Sequence, residues 1–161
     1  MAKEHGYEMP IVAAAREVNF RQRLRAVEKL QEALKGVRGR IIGILGLAFK
    51  PGTDDVRESP ALDVIRILCE RGAHVRAHDP MALENARRAL NGLEVEFFSD
   101  PYLLAEGAEA LVLVTDWPEY RRLDLVRLAK LMRTPVLLDG RNLFDPAEAR
   151  QAGFLYIGVG R

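Results

Sequence analysis

From Arg40 to the C-terminus the chain alternates short apolar runs with amphipathic segments, and this period constrains its fold more than any other feature. The apolar runs are "RIIGIL" (40–45), "AHVRAHD" (73–79), "LEVEFF" (93–98), "AEALVLVTD" (108–116), "PVLLDG" (135–140) and "FLYIGVG" (154–160). Between them lie five segments with helix signals: 59–72, 80–90, 99–107, 123–132 and 145–153. Ser59 and Pro60 suit an N-cap and first helical position, and Ala61, Val64, Ile65 and Leu68 fall on one face of the helix that follows. "PMALENARRAL" is read as a helix beginning at Pro80. Short strand–helix–strand units joined by short connections require a parallel sheet covered on both faces. The expected fold is α/β, a doubly wound parallel sheet of about six strands in the order 3-2-1-4-5-6. "AEALVLVTD", the most continuous apolar run, is expected at its centre.

Before this pattern lies one long predicted helix, 11–36, with Phe20, Leu24, Val27, Leu30 or Gln31, and Leu34 at helical spacing and many arginines elsewhere. Gly36 and Gly39 end it. It falls outside the alternation, so it reads as an arm or linker whose apolar stripe buries on its own domain or on another copy. The expected division is 1–38, an N-terminal segment with the long helix, and 39–161, the sheet domain.

Bulk composition excludes several function classes. A formal net charge of +1 gives no global pull toward nucleic acid or membrane. No apolar run approaches the roughly 18 residues of a membrane span. The N-terminal "MAKEHGYEMP" has no signal-peptide core, and the single cysteine, Cys69, fits a reducing compartment, so a cytoplasmic protein is expected. His5, His74 and His78 are scattered, with no cysteine pair and no H-x-x-x-H, so no metal site is expected. Cys69 sits mid-helix with no base beside it, the position of a structural thiol rather than a nucleophile.

Ligands of such sheets bind outside the carboxyl ends of the strands, at the switch between strands one and four. There the sequence departs from a dinucleotide fingerprint. Gly43, Gly46 and Gly52 are spaced by three and six, not G-x-G-x-x-G, and about a dozen residues separate strand from helix, against the usual two to six. The loop suits an anion. Lys50 is a mobile charge able to reach a phosphate or a sugar hydroxyl, and Arg57 has a planar fork that matches phosphate oxygens. Asp54 and Asp55 would cap the turn or hold Lys50 and Arg57 in place. Phe49 offers a wall for a base, or packs beneath the loop. Arg141, after the Asp139–Gly140 turn, is expected on the same sheet edge as Lys50. Asp79 could hold a ribose or cap a helix, and Trp117 and Tyr120 could stack on a ligand or form a packed lid.

The stretches "GLAFKPGTDDVRESPALDVIRIL", "AHDP", "VTDW", "LLDGRNLFDP" and "GFLYIGVGR", in that order, resemble the C-terminal, nucleotide-sugar-binding domain of the UDP-glucose/GDP-mannose dehydrogenase family. The resemblance extends over about residues 11–161. It implies a Rossmann-like domain preceded by the end of a central helical region through which such enzymes form homodimers. It further implies that Phe49 and Lys50 meet the uridine–ribose region, that Arg141 contacts the nucleotide sugar, and that Arg57 reaches across a cleft to NAD phosphates. Family members oxidise the sugar 6-hydroxyl to a carboxylate by two NAD-dependent hydride transfers, using a cysteine in a glycine-rich segment. That segment and a dinucleotide fingerprint are not found here. These 161 residues are therefore expected to bind a UDP-sugar, UDP-glucose by default, without turning it over. A stand-alone dinucleotide-binding regulatory module and a pure oligomerisation module are the competing readings.

Overall fold

The computed structural model describes residues 10–160, so His5 lies outside the described residues. The elements run α1 (Pro10–Leu34), β1 (Ile41–Leu45), α2 (Pro60–Glu70), β2 (His74–His78), α3 (Leu83–Ala89), β3 (Val95–Phe97), α4 (Pro101–Ala105), β4 (Ala110–Leu113), α5 (Leu125–Leu131), β5 (Val136–Asp139), α6 (Pro146–Gln151) and β6 (Leu155–Gly158). All six strands are parallel, in the order β3-β2-β1-β4-β5-β6. This is the expected doubly wound sheet, with its switch between β1 and β4. β4 and β5 are buried at every position, and β1 at all but its first residue, whereas the edge strands β3 and β6 carry exposed residues.

Local chemistry starts most helices where the sequence says they should start. The Ser59 hydroxyl accepts from Ala61 N, Pro60 follows, and α2 buries Ala61, Leu62, Val64, Ile65 and Leu68. Asp100, Asp124 and Asp145 cap α4, α5 and α6 through their carboxylates. The helix expected from Pro80 instead begins at Leu83, and Ala82 at its cap position makes no side-chain cap bond. Asp79 accepts from the backbone of Met81 and Ala82 and holds residues 80–82 in a turn before the helix. "PEYRR" forms a single 3-10 turn, Pro118–Arg122, outside the five helical segments expected from the sequence.

The long helix is divided between two environments. Val27, Leu30 and Leu34 are buried in the same core as the sheet, and Leu24 is half-buried. Ile11, Val12, Val18 and Phe20 are exposed. Lys35 and Gly36 both take positive φ, ending the helix at Leu34, two residues before the expected boundary.

Gly46 is the tightest point of the β1 exit. It has φ +91, and a Cβ there would lie 2.6 Å from the Thr115 backbone nitrogen, an atom that cannot yield. Gly46→Ala combines backbone strain with overpacking and is predicted to lower unfolding free energy by roughly 2–5 kcal/mol. Gly52→Ala, at φ +79 in open space, carries the strain alone, about 1–2 kcal/mol. Urea unfolding of both variants checks this, and equal losses would contradict it.

Candidate functional site

Four segments meet beyond the carboxyl ends of the strands: the β1–α2 loop (46–59), the β2 exit at Asp79, the β4 exit (115–122) and the β5 exit (139–144). Asp79 joins three of them. It is 1% exposed. Its Oδ2 accepts from Leu47 N (2.7 Å), Ala48 N (3.0 Å) and Trp117 Nε1 (2.9 Å). Its Oδ1 accepts from Met81 N (2.9 Å) and Ala82 N (2.8 Å). Five donors leave neither oxygen for a ribose, so of its two sequence readings the structure selects backbone capping. The Thr115 hydroxyl donates to Ala48 O at 2.6 Å, closing the same junction from β4.

The loop beyond this junction is ordered by its own bonds. Phe49 N donates to Asp55 O at 2.8 Å, Asp55 N donates to Thr53 Oγ1, and Leu47 and Ala48 are fully buried. Asp55 accepts from Arg57 N, and its carboxylate also takes Nε and Nη2 of the Arg57 guanidinium (2.7 Å at the shortest). Those hydrogen bonds hold the Asp55 carboxyl down to about 2. Asp55 thus holds Arg57, as expected. Asp54 does neither thing expected of it: it accepts from Asn85 Nδ2 of α3. Glu58 takes the left-handed conformation, φ 59, and pairs with Arg16 of α1 at 3.0 Å.

A second buried acid organises the β5 exit. Asp139 is fully buried and accepts from Arg141 N (3.1 Å), Phe144 N (2.9 Å) and the Tyr156 hydroxyl (3.0 Å). Trp117 and Tyr120 are both buried, so the β4 exit is a packed lid and not a stacking surface. Beneath the lid, His78 Nδ1 lies 2.9 Å from the Tyr120 hydroxyl.

A cavity of about 300 Å³ opens at the β1/β4 switch. Phe49, Pro60 and Val64 form one wall, the ends of β4 and β5 with Gly140 and Arg141 another, and Asn19, Gln22 and Arg23 of α1 the third. Phe49 is 52% exposed at its mouth. The structure therefore brings Phe49 and Arg141 together. Lys50 is exposed next to Phe49, off the cavity wall, and makes no ion pair among the described residues. Arg57, with its side chain 87% exposed, borders a neighbouring cleft of about 710 Å³ shared with Arg16, Phe20 and Arg66. Glu58, Asn19 and Arg23 border both spaces. A larger groove, about 930 Å³, lies at the opposite sheet edge between the C-terminal ends of α1 and α2, among charges of mixed sign. It lacks the convergent strand ends that make a binding site in this fold.

The sequence reading missed the contribution of α1. Asn19, Gln22, Arg23 and Ala26 recur at helical spacing, a stripe beside the apolar one that could have been read as a second functional face. Cys69 is half-buried at the end of α2, by the Gly72–Ala73 turn into β2, on the sheet edge away from the cavity. Burial, with the charges of Glu70 and Glu94, pushes its thiol pKa up, away from thiolate chemistry. No cluster of three metal-ligating side chains exists among the described residues, and no helix of these residues is long and apolar enough to cross a membrane.

His78 gives the site a pH signature. Burial lowers its imidazole pKa below the ordinary 6.5, against the opposing charges of Asp79 and Asp100. A group whose folded pKa is depressed supplies stability that is present above its unfolded pKa and lost as pH falls. The melting temperature should hold from pH 8 to about 7 and decline as pH drops below about 6.5. His78→Gln should flatten that decline, and an unchanged slope in the variant would contradict the assignment. The Asp55–Arg57 pair titrates far lower, so it does not confuse this window.

Residues 43–146 match the model of the UDP-glucose/GDP-mannose dehydrogenase family, UDP binding domain. The chain is 45% identical over its whole length to UDP-glucose 6-dehydrogenase TuaD of Bacillus subtilis, covering 35% of that protein. It is 42% identical over 99% of its length to UDP-glucose 6-dehydrogenase of Pseudomonas aeruginosa, covering 36%. It thus spans about a third of the length of these curated relatives. Among solved structures, a UDP-glucose dehydrogenase from the hyperthermophilic archaeon Pyrobaculum islandicum superposes with TM-score 0.79 at 43% identity, over 98% of this chain and 34% of that one. A UDP-D-ManNAc dehydrogenase from Pyrococcus horikoshii gives TM-score 0.79 at 31% identity, over 100% of this chain and 36% of that one. With its sheet order, its β1–α2 loop and these matches in agreement, the chain belongs to the UDP-glucose/GDP-mannose dehydrogenase family and carries that family's UDP-binding domain.

Proposed function

We propose that the chain holds the nucleoside diphosphate part of a UDP-sugar, UDP-glucose by default, in the cavity between α1 and the ends of β1, β4 and β5. Phe49 walls the uridine–ribose region, Lys50 swings over the mouth to the ribose or phosphate, and Arg141 meets the nucleotide sugar. The observation that carries this reading is the placement of Phe49 and Arg141 on one cavity at the sheet switch, with Lys50 beside it. In the complete enzyme, the sugar's 6-hydroxyl is oxidised to a carboxylate in NAD-dependent hydride transfers. The residues here do not fit a full NAD site: Asp79, where a ribose-binding acid would stand, spends both oxygens on backbone and indole donors. Only Arg57 is offered, rigid on Asp55 and exposed, to the phosphates of a cofactor held mainly by other residues. Among the described residues no cysteine, serine, histidine or lysine lines the cavity, and Glu58 on its wall is paired with Arg16, which supports a role in holding substrate.

Calorimetric titration with UDP, UDP-glucose, GDP-mannose and NAD tests the reading. UDP and UDP-glucose should bind in preference to NAD, and Lys50→Ala and Arg141→Ala should each weaken them about tenfold. A mixture of the 161 residues with UDP-glucose and NAD should form no NADH. Preferential NAD binding, unaffected by either substitution, would overturn the reading in favour of a dinucleotide module.

A homodimer through α1 accompanies this proposal, supported by Ile11, Val12, Val18 and Phe20 left exposed on the helix that the domain buries only at its other end. Sedimentation should show concentration-dependent association that Phe20→Asp abolishes. A monomer at high concentration would contradict it.

A further inference from the structure

Arg141 reaches the cavity from a backbone held at successive residues. Gly140 N donates to Leu113 O at 2.9 Å, and a Cβ on Gly140 would stand 2.7 Å from that same oxygen. Arg141 N donates to Asp139 Oδ1, and Asn142, at φ 53, donates its Nδ2 to Val159 O at 2.9 Å. The side chain is held as well: Arg141 Nε donates to Asp116 Oδ1 at 3.0 Å. Neither terminal nitrogen makes a hydrogen bond among the described residues, and the side chain, 45% exposed, lies on the cavity wall.

Asp116 is itself rigidly placed. It lies between Thr115, whose hydroxyl is tied to Ala48 O, and Trp117, whose indole is tied to Asp79. Burial pushes its carboxyl pKa up, but the Arg141 hydrogen bond, the backbone and the charges of Arg141 and Arg121 outweigh it and keep the group below its ordinary value. An acid beside an anion-binding arginine repels the ligand unless its charge is used locally. Here it engages Nε, the one donor that does not belong to the terminal fork.

We propose that Asp116 is a positioning residue that clamps Nε of Arg141 and thereby presents the two terminal nitrogens of that guanidinium, preformed, to the phosphates of a nucleoside diphosphate. This rests on the nucleotide reading above. A guanidinium fixed at Nε and at its own backbone has few rotamers left to lose when the phosphate arrives, and its planar fork remains available for bidentate contact. The clamp also couples the β4 exit to the neighbouring β5 exit, so the diphosphate subsite exists only when both exits are in place.

Two readouts on the intact 161-residue chain test it. The first needs no ligand. The Arg141 Nε–H proton, assigned by its loss in Arg141→Lys, should exchange slowly with solvent and become fast in Asp116→Ala. Equal exchange in both proteins overturns the clamp. The second compares UDP with uridine by titration. Asp116→Ala should weaken UDP about five- to tenfold and leave uridine within about twofold, Asp116→Glu should recover part of the loss, and Asp116→Ala added to Arg141→Ala should cost nothing more. Additive losses, or equal loss for uridine, overturn the positioning role while the nucleotide reading stands. Failure of the unsubstituted chain to bind UDP overturns the nucleotide reading, and the role with it, whatever the Arg141 proton shows.

Discussion

The carboxylate of Asp79 is the constraint on which the rest of the binding edge depends. It stands one residue past β2, next to the sheet switch, and accepts from five donors on three different chain segments. Hydrogen bonds to a charged group contribute roughly 1.5–3 kcal/mol each in net stability, enough in sum to offset the cost of burying the charge. What those bonds achieve is geometric. Leu47 and Ala48 are pulled onto the end of β2, so the chain leaves β1 sideways instead of turning straight into a helix. Trp117 is drawn down over the same point as a lid. A loop long enough to present side chains can exist there because its root is anchored.

From that root the binding groups are arranged by a repeated device in which acids hold the backbone and other acids hold the cations. Asp79 and Asp139 are buried and face main-chain N–H groups. Asp55 and Asp116 lie at the surface and pair with Arg57 and Arg141. Lys50 alone of the three expected cations is unpaired among the described residues, which suits a side chain that must move onto a ligand. Glu58 marks the border between the two spaces these cations serve. Its left-handed backbone, an uncommon state for glutamate, turns the chain from Arg57 into the Ser59 cap, and Arg16 of α1 holds its carboxylate across the gap.

Much of this was legible in the residues. Apolar runs alternating with helical segments led to the six parallel strands and their order, because handedness and short connections leave few alternatives. Ser59, Pro60 and the aspartate-proline pairs at 100–101 and 145–146 marked helix starts by local chemistry alone. What could not be read depended on partners distant in sequence. The third helix starts three residues late because Asp79 accepts from Met81 and Ala82 while also serving a loop some thirty residues upstream. Asp54 turned to Asn85, on another element, in place of its neighbours. The face of α1 bearing Asn19, Gln22 and Arg23 shows only as a polar stripe at helical spacing, which does not by itself tell a cavity wall from an ordinary solvated face. Only the folding of α1 against α2 and the sheet edge makes that face a wall.

The central claim is that the anchored loop and the two strand exits form one site for a nucleoside diphosphate. Amide chemical-shift mapping of the chain during addition of UDP tests it most directly. The account predicts the largest shifts at Phe49, Lys50, Gly140 and Arg141, with smaller ones along residues 19–26 of α1. Shifts centred on residues 28–38 and 70–71, at the groove on the opposite sheet edge, would contradict it.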